Sequence, residues 1–295
     1  MHIGGLAKRI AVAALGVAAA RGALAALRNT PGREGWDRTN YRGHTVNLAG
    51  GPALAIAATA TAAVGAGSVP LAAAAAIAGG GAGAVGWYDD IVGTRPDQKA
   101  KGFRGHLAAL RDGHVTSGMV KIAGVGAAGL AAAALAEASD PRSRGPLRAA
   151  LNVVLGGGVI AGTANLLNLL DLRPGRALKV GTVIGAPMLA GPAGGLVAGP
   201  VGAAAGLLPA DLGEEIMLGD SGANALGALI GLALAVRTGP WRRAALLAGI
   251  AALTATSEKV SFTRVIEATP GLREFDALGR RTGRDEPGTE PPTSG

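Results

Sequence analysis

Two adjacent carboxylates, Asp89 and Asp90, close a long apolar run from Val69 to Val85 and stand just ahead of a basic segment, Arg95 to Arg111. Charge is costly at the mouth of a membrane helix, which makes such a pair a candidate for chemistry. The chemistry it suits is the holding of a hard divalent cation. Mg²⁺ takes oxygen ligands, commonly one or two carboxylates together with substrate phosphates. Three other stretches mix acids, amides and bases: Arg42-Gly43-His44, the spacing Asn165-x-x-Asn168-x-x-Asp171, and Gly219-Asp220-Ser221-Gly222. Each has a plainer reading. Asp89-Asp90 could be an acidic, solvated helix end, and Asn165 and Asn168 could cap a helix. Asp220 could be an N-cap, a role compatible with metal binding. Lys101 and Arg104 could be ordinary loop bases. His106, His114, Glu214 and Glu215 read as solvated.

The elements that must position these residues are membrane helices. The chain has 295 residues, 49% hydrophobic and only 16% charged, with a mean hydropathy of +0.34 and just 3% aromatic. A soluble protein carries roughly a quarter charged residues. Here the charges are bunched between Ala/Gly/Leu/Val runs about as long as a bilayer span. The 50 glycines fit helices that approach closely through small residues. No cysteine is present, which excludes disulfides and thiolate chemistry. The net charge of +8 sits mostly in short loops, so it points to anionic lipid or phosphate and to no nucleic acid.

The expected fold is an all-α polytopic bundle of about nine spans, ten at most, with the active site on cytoplasmic loops. The spans cover about 3–27, 48–66, 69–88, 118–136, 147–167, two within 180–209, 222–236 and 244–256. The first, although it resembles a signal peptide, has no convincing cleavage site and reads as retained. Residues 1–256 form the membrane domain, 257–282 a cytoplasmic tail, and 283–295 a Pro/Gly/Thr-rich end expected to be disordered. Basic loops after spans one, three and five place those loops in the cytoplasm, against a weaker opposing signal from Arg142, Arg144, Arg148, Arg237, Arg242 and Arg243. On this alternation all four polar segments face one side. No internal repeat is apparent, which counts against inverted-repeat transporters.

In this order, the four segments resemble the polyprenyl-phosphate N-acetylhexosamine-1-phosphate transferases, the glycosyltransferase family 4 that includes phospho-N-acetylmuramoyl-pentapeptide translocase. The resemblance covers roughly Arg42 to Gly227. Arg42-Gly43-His44 with Gly50-Gly51 is similar to the family's first motif. Gly86-Trp87-Tyr88-Asp89-Asp90 with Lys101-Gly102-Phe103 is similar to the second. Asn165-x-x-Asn168-x-x-Asp171 is similar to the third, and Gly219-Asp220-Ser221-Gly222 with Leu226-Gly227 to the fourth. The resemblance implies transfer of a sugar-1-phosphate from a UDP-sugar or other nucleotide sugar to a polyprenyl (undecaprenyl) phosphate, releasing UMP, with Mg²⁺ as cofactor. Asp89, Asp90, Asp171 and His44 would be catalytic. Arg42, Lys101, Asn165, Asn168, Arg173 and Arg176 would bind substrate, and Asp220 and Asp90 the metal. It also implies the bacterial plasma membrane, cell-envelope polymer synthesis and, because the family is often dimeric, a homodimer.

Two departures matter. The third motif usually continues Asp-Gly-x-Asp-Gly, whereas this chain reads Asp171-Leu172-Arg173-Pro174-Gly175, losing an acid and gaining bases. The family's late His-containing motif has no counterpart, since residues 257–281 contain no His. The alternative is therefore an altered or inactive relative that binds polyprenyl phosphate or a partner protein in the envelope.

Overall fold

Alanine and leucine are strong helix formers, and in lipid a helix satisfies every backbone polar group internally. The computed structural model describes residues 3–95, 105, 109–111, 113–140 and 145–281. Lys101, Arg104, His106 and the 283–295 end lie outside the described residues. The helices are α1 (Ile3–Arg28), α2 (Gly50–Gly65), α3 (Val69–Val92), α4 (Ser117–Ala138), α5 (Pro146–Leu170), α6 (Arg176–Gly185), α7 (Gly194–Leu212), α8 (Gly219–Arg237), α9 (Pro240–Ser257), α10 (Phe262–Ala268) and α11 (Leu272–Ala277). The fold is an all-α membrane bundle.

Among the described residues, six helices are long and apolar enough to cross a membrane: α1, α3, α4, α5, α7 and α8. The other three expected spans are helical but fall short for local reasons. Helix α2 has 16 residues. Helix α6 has ten and gives way to a 3₁₀ turn, Ala186–Ala190, at Pro187. Helix α9 opens on Trp241-Arg242-Arg243.

Helix α8 is the axis. Its apolar window is 83% buried, against 22% for α1, and α2, α3 and α5 pack around it. A sequence of Gly, Ala, Leu and Ile with no charge between Asp220 and Arg237 leaves no face that needs water. Helix α3 carries a π-helical stretch, Ala76–Gly81, midway along, a feature often found near functional sites. Beyond it, Gly86 brings α3 against the start of α8. A Cβ at Gly86 would lie 2.4 Å from the Asp220 carbonyl oxygen, so only glycine permits this approach.

One short hairpin interrupts the helices. Strands β1 (Asp37–Thr39) and β2 (Thr45–Asn47) pair antiparallel, with Arg38 opposite Val46. Trp36, just ahead of β1, meets Trp87 of α3 edge to face at 5.2 Å. The Asn47 carbonyl accepts from the Met217 N–H at 3.0 Å, tying the hairpin to the segment before α8. After α9 the chain turns back, and α10 and α11 dock on the α5–α6 loop.

Candidate active site

Helices α3 and α5 end where α4 and α8 begin, and the ionisable residues of the bundle gather there. Asp90, near the C-terminus of α3, uses both carboxylate oxygens on α8: Oδ1 accepts from the Asp220 N–H and Oδ2 from the Ser221 N–H, each at 2.9 Å. The first N–H groups of a helix have no partner within it, and the helix dipole favours an anion beside them. Gly219 makes this docking possible. Its φ is +56°, and a Cβ there would lie 2.7 Å from Asp90 Oδ1. From the other side, Arg38 Nη2 donates to the Asp90 carbonyl oxygen at 3.0 Å, so the hairpin fixes the same turn of α3.

Asp89 and Asp220 share one partner. Lys121, in the second turn of α4, donates from Nζ to Asp89 Oδ2 at 2.8 Å and to Asp220 Oδ2 at 2.5 Å. Asn168 of α5 donates from Nδ2 to Asp220 Oδ1 at 2.5 Å. Asp171, just past α5, accepts from the Gly219 N–H. Burial, and then the charges of Asp211, Asp220 and Asp90, push the Asp171 carboxyl well above the usual carboxylate range. Four carboxylates, Asp89, Asp90, Asp171 and Asp220, thus gather here, and among the described residues Lys121 is the ammonium that Asp89 and Asp220 share.

The other sequence-derived residues are dispersed. Asn165 faces α9, where its Nδ2 meets Thr254 Oγ1 at 3.5 Å, and it also borders a groove beside Lys121. His44 and Arg42 meet Glu214, His44 Nδ1 at 3.2 Å from Oε2 and Arg42 Nη1 at 3.3 Å from Oε1. Arg173 stacks over the Tyr41 ring at 4.3 Å beside a cavity of about 340 Å³ that Asp171 also lines. Arg176 is not in the site. It is 2% exposed and paired bidentately with Asp276 of α11 at 2.8 and 2.9 Å, so its guanidinium is consumed by the tail.

Two residues were missed by sequence reasoning. Lys121 looks like an ordinary break in an apolar run; its signal is that a lone ammonium inside such a run needs a counter-ion. Glu214 was expected to be solvated, yet it is 5% exposed. Its φ of +54° turns it inward, where Asn40 Nδ2 donates to Oε2 at 2.6 Å. Nothing in a local pattern announces a left-handed glutamate.

The donor set can be tested against Mg²⁺. Oxygen ligands in excess of positive charge are what a hard cation takes. Among the described residues, however, no three His, Cys, Asp or Glu side chains are arranged as a ready metal site. The reason is visible: Lys121 stands between Asp89 and Asp220, while the Asp90 oxygens are turned to backbone N–H groups. The residues fit a cation in chemistry, with Asp89 and Asp220 as holders once the Lys121 ammonium moves aside. The chain matches no protein-family model and no curated protein.

Proposed function

We propose that this chain is a membrane phosphoglycosyltransferase of the polyprenyl-phosphate N-acetylhexosamine-1-phosphate transferase type. It moves a sugar-1-phosphate from a nucleotide sugar to a polyprenyl phosphate at the cytoplasmic face of the bacterial plasma membrane. The observation that carries this reading is the gathering of Asp89, Asp90, Asp171 and Asp220 at one end of a bundle of apolar helices, with Asp89 and Asp220 sharing the Lys121 ammonium.

The reaction joins a lipid phosphate oxygen to the β-phosphorus of the donor, breaks the bond from that phosphorus to the bridging oxygen, and releases the nucleoside monophosphate. It needs positioning and charge neutralisation more than covalent help from the protein. Asp89 and Asp220 would hold a Mg²⁺ ion, whose chemistry would be to neutralise charge on the diphosphate. Lys121, displaced from Asp89 and Asp220 when they hold the cation, would turn its N–H donors to a phosphate oxygen. Asn168 fixes the Asp220 carboxylate and Asp90 fixes the end of α8, so that both carboxylates keep their place as charge builds up. The cavity of about 340 Å³ beside Arg173 and Tyr41 lies next to Asp171, and a nucleotide fits its stacked, cationic wall.

A second reading, a non-catalytic relative that binds a lipid phosphate, draws on Pro174 and on the capture of Arg176 by Asp276. Purified protein in nanodiscs with Mg²⁺, undecaprenyl phosphate and a panel of nucleotide sugars separates the two. UMP or another nucleoside monophosphate is released by the transferase and lost in Asp220→Asn. Absence of release with every donor, while the lipid phosphate still binds, selects the second reading.

A further inference from the structure

The end of the bundle opposite Asp220 carries a cavity of about 200 Å³, where the spanning helices α4 and α8 finish and α5 begins. That is far more than the ~30 Å³ share of one water. Asn152, in the second turn of α5, and Arg243 of α9 line it, beside Glu137, Asp140 and Arg237. Asn152 is 8% exposed, and its Nδ2 is spent on Glu137. Its Oδ1 is buried and accepts from no group among the described residues. A buried acceptor left bare is a standing cost, tolerated where a donor arrives.

Arg243 has the complementary spare capacity. Its Nε donates to the Ala235 carbonyl oxygen, and its Nη1 meets Glu137 Oε2 and the Asn152 carbonyl oxygen. The two N–H groups on Nη2 have no acceptor among the described residues. Arg237, exposed in the last turn of α8, has no acid partner among them either. The unpaired acceptor and the unpaired donors belong to residues in contact, since Arg243 Nη1 lies 3.4 Å from the Asn152 carbonyl oxygen. One small group is therefore enough to meet both.

The charged residues on the wall balance, Glu137 and Asp140 against Arg237 and Arg243, so a ligand of zero net charge leaves no excess. Asn152 Oδ1 calls for an N–H or O–H donor, and the guanidiniums call for an anionic oxygen. A zwitterion with a protonated amine meets all three conditions. A polyol anion brings an unmatched charge, a quaternary ammonium has no N–H, and a neutral sugar has no anion. The ends of spanning helices lie at the depth of lipid headgroups, and Leu71, Ala133 and Val236 add an apolar side to the wall. We infer that this cavity seats the aminoethyl phosphate head of a zwitterionic phospholipid. The ammonium donates to Asn152 Oδ1, and the phosphate oxygens accept from Arg243 Nη2 and Arg237. Nothing in this depends on the transferase reading, which concerns the other end of the bundle.

The test is binding of dihexanoyl lipids to the purified full chain in detergent, read by native mass spectrometry at equal concentrations. The lipids are phosphatidylethanolamine, its N,N-dimethyl derivative, phosphatidylcholine and phosphatidylglycerol. The first two are expected to bind within about threefold of each other, and the last two at least about tenfold more weakly. The dimethyl lipid has nearly the bulk of choline but keeps one N–H. If it ranks with phosphatidylcholine, size and not the donor decides, and the inference is overturned. Phosphatidylglycerol binding as well as phosphatidylethanolamine overturns it too, and glycerophosphoethanolamine binding as tightly assigns the site to a soluble ester instead of a lipid. Asn152→Leu removes the acceptor, so phosphatidylethanolamine should fall to the level of phosphatidylcholine. Equal affinity in wild type and this variant sinks the inference. Asn152→Leu also loses its bond to Glu137, so if it does not fold the lipid series on wild type decides alone. Arg237→Gln, at an exposed position, should weaken phosphatidylethanolamine and phosphatidylcholine alike by about threefold and leave their ratio unchanged.

Discussion

The two ends of the bundle both bury charge, and they do it in opposite ways. At the end opposite Asp220, Glu137 of α4 and Arg243 of α9 pair at 3.4 Å, 4% and 8% exposed. Asn152 Nδ2 donates to Glu137 Oε1 at 2.7 Å, and Arg243 Nε donates to the Ala235 carbonyl oxygen at 2.9 Å. One acid meets one base, with neutral groups around them. At the Asp220 end, among the described residues, Asp89 and Asp220 share one ammonium while Asp90 is turned to backbone N–H groups and Asp171 lies beside them. The Glu137–Arg243 pair is matched in charge and clasps α4, α5, α8 and α9. The other end has more acids than bases among the described residues, and a cation from elsewhere would complete it. Burial of charge alone therefore does not mark a site; an uncompensated excess does.

The largest effect that would break this contrast is catalytic. Asp220→Asn removes one unit from the excess, and turnover is expected to fall about 10⁴-fold, ~5 kcal/mol of transition-state stabilisation. Nucleoside monophosphate release measures it. Because the lost charge belonged to an over-full cluster, the melting temperature should hold or rise. A large fall in melting would mean that the cluster is structural after all.

The balanced end should respond the other way. Glu137→Gln leaves Arg243 buried without a counter-charge, and removing one partner of a buried pair costs about 3–5 kcal/mol. Denaturant or thermal unfolding in detergent reads this. A variant that melts like wild type would erase the distinction between the two ends.

Between these extremes stands Gly86→Ala, which bears on how α3 presents its acids. The added Cβ would sit 2.4 Å from the Asp220 carbonyl oxygen, so α3 must move off α8. Overfilling of this kind costs about 1–3 kcal/mol. It should also lower turnover, because Asp90 can no longer reach both N–H groups at 2.9 Å. Unchanged turnover would detach the chemistry from the α3–α8 contact.

What the sequence made legible follows the same division. Asp89, Asp90 and Asp220 could be read as one group, because each stands at the end of an apolar run and alternation of spans puts those ends together. Lys121 could not be paired with them: its partners are 32 and 99 residues away, and inside an apolar run it looks like any interruption. Arg176 misled for a related reason. Next to a basic loop it reads as a phosphate contact, yet its acid lies 100 residues on, in a segment read as a plain tail. Helix limits were least legible where length and composition conflict, as in α6, where regular helix ends within ten residues of its start, ahead of Pro187. Local pattern carries helix position and charge placement; which charge meets which is decided by packing between distant segments.

The tail offers the smallest effect and extends the comparison to a place outside the spanning helices. Asp276 of α11 is held by Arg176, by Arg280 at 2.6 Å and through its backbone by Lys179, whose Nζ donates to the Asp276 carbonyl oxygen at 2.8 Å. Burial alone would raise the Asp276 carboxyl, but the hydrogen bonds from Arg176 and Arg280 outweigh it and hold the group below its usual value. A folded-state pKa depressed in this way means that docking favours the ionised form. Its contribution is complete above the unfolded carboxyl value, near pH 4, and is lost as the pH falls through the lower folded value. Hydrogen exchange across residues 262–281 should therefore be slow at pH 7 and faster at pH 3, after correction for intrinsic rates. Asp276→Asn leaves Arg176 without its counter-charge, so it should loosen the segment at pH 7 and abolish the difference between the two pH values. Here one carboxylate is held by two guanidiniums outside the spanning helices, so the result should be local opening with the Asp220 cluster untouched. Equal protection at both pH values would mean that α10 and α11 are held by their apolar contacts, and that charge balance has no structural role at this third cluster.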